Sequence, residues 1–209
     1  MRQEARAPSV GDVSVRTPHY MEQVVATLSQ LARASNQVNQ RSGVSVRLSV
    51  SNVEVLGASA LRRGLRAGET VVVPRVSDLV ALAASTSGKI EIESLEEGRD
   101  GIILENLVKA AVLTVFKELV TFEQVRDVVA AFEEGAIAHT GEEVSSNELA
   151  AMVQSVPALR VSVQSLAGGD ESPAAIAAAV EFVLEGLHLS KRLNKDTSGT
   201  SAATYRGRG

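Results

Sequence analysis

Apolar residues recur three and four positions apart through most of this 209-residue chain, and proline, glycine and hydroxyl residues cut the runs where helices start and stop. That periodicity constrains the fold more than any other feature, because it calls for helices nearly throughout. Thr17 and Pro18 suit a cap and a first helical residue, and Tyr20, Val24, Val25, Leu28, Leu31 and Ala32 then share a face as far as about Ala34. A second helix is expected over 45–67, with Leu48, Val55, Leu56, Leu61 and Leu65 on its apolar face and Gly68 as its stop. The same reasoning places a helix opened by Ser77 or Arg75 and ending near Ser85, and helices over 102–119, 122–134, 146–153, 157–167 and, opened by Ser172-Pro173, 172–193.

Strand signals are few. Val71-Val72-Val73 is a β-branched run stopped by Pro74, and residues 89–93 alternate apolar and acidic. These two are expected to pair as a small two-stranded element supported by helices. Val13 and Val15 suggest a short strand within a polar leader, 1–16. Residues 136–144 read as a loop. The segment 197–209, rich in serine, threonine and glycine, reads as a disordered tail. A break near 96–101 separates a first helical domain, 17–95, from a second, 96–196.

Composition narrows the chemistry. Aromatics are 3% of the chain, too few for a platform that stacks single-stranded nucleic acid, and the net charge of −4 gives no broad face for a polyanion. No cysteine is present, which removes disulfides, thiolate metal sites and cysteine nucleophiles. His19, His139 and His188 lie far apart and show no ligand spacing. No secretory signal is visible and no apolar run reaches the roughly 18 residues that span a bilayer, so a cytoplasmic location without membrane partners is expected.

A phosphate-binding loop requires Gly-x4-Gly-Lys-Ser/Thr, so that backbone N–H groups cradle phosphates. The Gly88-Lys89 pair is followed by Ile90, with no glycine five residues before it, and no apolar run ends in an Asp-Glu pair that would hold magnesium. Phosphoryl transfer depends on those parts, so the chain is not expected to hydrolyse ATP alone. The positive signal is Arg47, in the first turn of the second expected helix. Exposed N–H donors and the helix dipole already favour an anion there, and a cation in that turn is unfavourable until an anion arrives. Its planar fork matches phosphate oxygens. The plain alternative is a solvated arginine, or one paired with Glu54 or Asp78.

Four segments carry a resemblance: Pro18-His-Tyr-Met-Glu-Gln-Val-Val, Val38-Asn-Gln-Arg-Ser-Gly-Val-Ser-Val-Arg-Leu-Ser, Pro74-Arg-Val-Ser-Asp-Leu and Ser87-Gly-Lys-Ile-Glu-Ile-Glu. Together they resemble the lid region of magnesium-chelatase-type AAA+ ATPases, close relatives of the MoxR class. The run from Ala179 to Lys195 is similar to the C-terminal part of the same subgroup. The resemblance implies a mainly α fold, an AAA+ lid-like helical bundle with the small two-stranded element, followed by a helical C-terminal unit. It implies that Arg47 acts as the sensor-2 arginine on the γ-phosphate of ATP held by a separate core domain, with Arg41 as the second candidate. Magnesium would come with that nucleotide. The implied partner is an AAA+ core or companion ATPase subunit, with homo-oligomer formation possible. Apolar surface near 18–48 is the expected docking face for such a core.

Other clusters have plain readings. Arg62, Arg63, Arg66 and Arg75 read as a solvated basic face paired with nearby acids, or as a contact with a neighbouring subunit. Glu91, Glu93, Glu96 and Glu97 read as a solvated edge. Glu181, Glu185 and His188 share one helix, where Lys191, Arg192 and Lys195 suit its C-terminal end. Two further classes remain open: a non-catalytic helical interaction module, and a small DNA-binding regulator, against which the negative charge counts.

Overall fold

The computed structural model describes residues 8–39, 46–87, 89–90, 92, 99–198 and 202–209. Within them the chain is mainly helical, as the periodicity predicts. Helix α1 is His19–Ala34, α2 Val46–Ala67, α3 Val80–Ser87, α4 Asp100–Leu119, α5 Phe122–Glu133, α6 Ser146–Ser155, α7 Leu159–Ala167 and α8 Pro173–Leu189. A 3₁₀ turn, Val76–Leu79, leads into α3. The caps do what their chemistry suggests. The Ser172 hydroxyl accepts the Ala175 N–H at 3.3 Å at the start of α8, and Gly68, with φ +69°, follows the end of α2. Helix α1 begins one residue later than expected, with Pro18 in the cap position.

The strands depart from expectation. Strands β1 (Ser9–Val10), β2 (Val13–Val15) and β3 (Val71–Val72) form one three-stranded sheet in that order, β1 antiparallel and β3 parallel to β2. The Val71 run therefore pairs with the leader, and among the described residues of 89–93 none pairs with it. Of the latter, Glu91 and Glu93 lie outside the described residues, and Ile92 makes an isolated bridge to Val38. A second sheet, ordered β4-β6-β5 and antiparallel throughout, joins β4 (Ile137–Thr140), β5 (Asn194–Ser198) and β6 (Ala202–Arg206). The expected loop over 136–144 thus contains a strand. The expected disordered tail, 197–209, is corrected in the same way. Its residues Ala203 and Tyr205 are buried on one face of β6, and two neighbours satisfy both edges of that strand.

Helix α8 carries the centre of the molecule. Every residue from Ala177 to Leu187 is buried, which fits a helix apolar nearly all round. It packs against α4, α6, α7, β3 and the 3₁₀ turn. Small residues permit this close approach. A Cβ on Gly186 would stand 2.1 Å from a ring carbon of Phe116 on α4, so only glycine fits there without displacement. One core cluster runs from Tyr20 and Leu56 through Phe116 and Phe182 to Tyr205, so residues on both sides of position 96 share it. Among the described residues no helix is long and apolar enough to cross a membrane.

Candidate functional site

Arg47 is the second residue of α2 and is exposed. Its neighbour Leu48 is fully buried with Val38, Ile90 and Leu104. The hydroxyls of Ser49 and Ser29 on α1 are 2.7 Å apart, and Asn52 donates to the Thr86 hydroxyl of α3 at 3.1 Å. These buried polar contacts fix the start of the helix. Its opposite face presents Arg47, Glu54, Ala58, Arg62 and Arg66 as one solvent stripe. Arg41, Ser42, Gly43 and Ser45 lie outside the described residues.

The remaining arginines overturn the reading of a solvated basic face. Arg63 is 2% exposed and Arg75 is fully buried, whereas Arg62 and Arg66 stay in solvent and meet Glu142 at 3.8 and 3.0 Å. Arg63 lies one turn beyond Ala60 and two beyond Leu56, on the apolar face, which is why it enters the core. There its Nη2 donates to Asp78 Oδ2 at 3.1 Å and to the Val73 carbonyl at 2.8 Å. Asp78 also accepts the Arg75 backbone N–H at 2.8 Å. Arg75 reaches the other way, donating to the Val144 carbonyl at 2.7 Å and to the Ser146 hydroxyl at 2.6 Å. Glu69 sits 3.6 Å from both guanidiniums and accepts the Ser146 N–H at 2.8 Å, at the start of α6.

Glu181 of α8 closes this ionic joint. Its Oε2 accepts both the N–H and the hydroxyl of Ser77, each at 3.1 Å. Burial pushes its carboxyl above the ordinary range, with Arg75 pulling the other way. Arg63 and Arg75 thus share this buried space with the carboxyl groups of Asp78, Glu69 and Glu181. The same burial, with the repulsion from neighbouring Arg63, lowers Arg75 from its usual value. Beside Glu181 lies a cavity of about 80 Å³, also lined by Thr140, Lys195 and Tyr205. That is far below the roughly 300–1,000 Å³ of small-molecule sites, so the joint holds helices together and has no room for a nucleotide.

Glu185, one turn on, accepts from Lys195 at 2.7 Å and from the Tyr205 hydroxyl. It thereby ties α8 to the second sheet and not to His188, whose Nδ1 lies 3.2 Å from the Leu193 carbonyl. Burial and the Glu185 carboxylate raise Tyr205 well above the usual phenol value. Among the described residues no group of three or more His, Asp or Glu is placed to hold a metal ion. The apolar residues expected to offer a docking face near 18–48 are instead in the core, including Tyr20, Val24, Leu28, Val38 and Leu48.

Sequence reasoning did not find the joint's acids. Glu181, set among alanine, valine and phenylalanine on a helix apolar all round, was the available signal, because such a carboxylate needs buried partners. Glu69 and Ser146 gave none. Compared with protein-family models, curated proteins and solved structures, the chain has no match in any of the three.

Proposed function

We propose that this chain is the nucleotide-sensing and coupling part of a magnesium-chelatase-like AAA+ ATPase, acting on ATP bound by a separate P-loop core. The observation that carries the reading is the exposed Arg47 in the first turn of α2, a helix whose other end is locked into the buried joint. Sixteen residues separate Arg47 from Arg63, about 24 Å along the axis. A phosphate that meets the Arg47 guanidinium and the N–H donors of the helix start would favour one position of α2. The joint would carry that displacement to α6 and α8 as a rigid-body movement. Magnesium belongs to the nucleotide in this scheme, and hydrolysis belongs to the core.

The test is phosphate release by a purified P-loop core of that class lacking its lid, with and without this chain. The chain alone should release none. Added to the core it should raise turnover, and Arg47→Ala should remove about tenfold or more of that stimulation. Equal stimulation by the variant would sink the proposal. A non-catalytic interaction module is the second reading, favoured by the exposed ring of Phe122 lying in one groove with Leu113 and Leu189.

A further inference from the structure

Where α4 ends, α5 begins and α8 ends, the surface folds into a groove of about 500 Å³. Leu113, Leu187 and Leu189 give it apolar walls, beside the half-exposed ring of Phe122. Lys117, Lys191 and Arg192 supply its charge, and among the described residues that line it none is acidic. In a chain of net charge −4 this is a local reversal of sign next to apolar surface.

Two features show that the cations are held ready. The Arg192 guanidinium carbon lies over the Phe122 ring, 4.7 Å from its centroid, so the ring holds the cation at the groove. Lys191 adopts φ +60°, the one non-glycine residue with positive φ among those described. It ends α8 in the position that glycine usually fills. Its N–H donates to the His188 carbonyl and that of Arg192 to the Leu187 carbonyl, both at 2.8 Å. Arg208 clamps the turn by donating to the Lys191 carbonyl at 2.6 Å. The helix dipole explains basic residues in this region. It does not explain a lysine at a left-handed position, where a side chain carries strain that glycine avoids.

We propose that this groove docks an acidic peptide segment of a partner protein, one large apolar side chain flanked by carboxylates. The apolar side chain lies between the leucine walls against Phe122, and the carboxylates pair with Arg192, Lys191 and Lys117. Charge complementarity selects this occupant: nucleic acid would meet one exposed ring on a negatively charged chain. The inference stands apart from the nucleotide reading and uses none of its residues.

The experiment is fluorescence anisotropy of the whole chain with a fluorescein-labelled peptide alternating glutamate with leucine and phenylalanine. The control is the same peptide with lysine for glutamate. The acidic peptide should bind saturably, more weakly as salt rises. Reversing Lys117 and Arg192 together to glutamate should weaken binding about tenfold or more. Lys191→Gly, which keeps the turn and removes the charge, should weaken it several-fold while raising the melting temperature. Equal binding of the lysine peptide, an unchanged curve for both variants, or no binding below about 1 mM would overturn the proposal. So would self-association that the same substitutions abolish without any peptide binding, since the groove would then belong to a second copy.

Discussion

Arg47 and Arg63 sit on one helix and meet opposite fates. Arg63 falls on the apolar face, is sealed from water, and finds an aspartate, a backbone carbonyl and a nearby glutamate waiting in the core. Arg47 falls on the solvent stripe at the start of the same helix. Residue type is identical, so the difference lies in helical phase and in what the rest of the chain brings to each end. The contrast teaches where binding chemistry is to be sought. A buried arginine ion-paired inside the protein stabilises the joint, whereas an exposed one at a helix start is accessible to an anion from outside.

The sharpest way to break that contrast is to remove the buried partner. Arg63→Met would leave Asp78 and Glu69 facing Arg75 alone, and should cost about 3–5 kcal/mol in urea unfolding. A loss under about 1 kcal/mol would mean that the joint is not holding the helix. Next comes the packing behind it. A Cβ on Gly64 would stand 2.2 Å from Val72 Cγ2, so Gly64→Ala should destabilise by about 1–3 kcal/mol, read in the same assay.

Glu181 sharpens the comparison through pH. Its carboxyl is raised in the folded state from an ordinary value of 4.5, so the folded chain keeps a proton that the unfolded chain has already released. The stability it contributes is full at low pH and is lost as pH climbs from about 4.5 through the raised folded value. Wild type should therefore lose ground to Glu181→Gln as pH rises above the ordinary value of 4.5 in thermal melts. Parallel curves for the two proteins would remove protonated Glu181 from the joint. The smallest effects belong to the solvent stripe. Arg47→Ala and Arg66→Ala should each change stability by no more than about 0.5 kcal/mol, whereas the former should lower any stimulation of a P-loop core about tenfold or more.

Much of the helical skeleton was legible residue by residue. Ser172-Pro173 announced α8, and Leu48, Leu56 and Leu61 marked the buried side of α2, because capping and the 3.6-residue period are local properties; Leu65, expected on the same face, is 47% exposed near the helix end. Arg63 shared that buried side, so its burial was readable too, although four arginines close together suggested a wet surface. The sheets were not legible. Ser14 pairs with Val71 and Ala138 with Tyr205, and neither match leaves a trace in the residues around it. The tail looked too polar and too small-chained to order, yet Ala203 and Tyr205 alternate inward once β4 and β5 flank them.

The sequence by itself determined the helices and most of their buried faces, and set Arg47 in the first turn of α2. Only the tertiary structure decided which charges meet. Ser77 and Glu181 are 104 residues apart, and Arg75 and Ser146 are 71 apart. The reason is physical: a helix is chosen by neighbours within a turn or two, while an ion pair in the core is chosen by whichever distant segments burial forces together, out of reach of water.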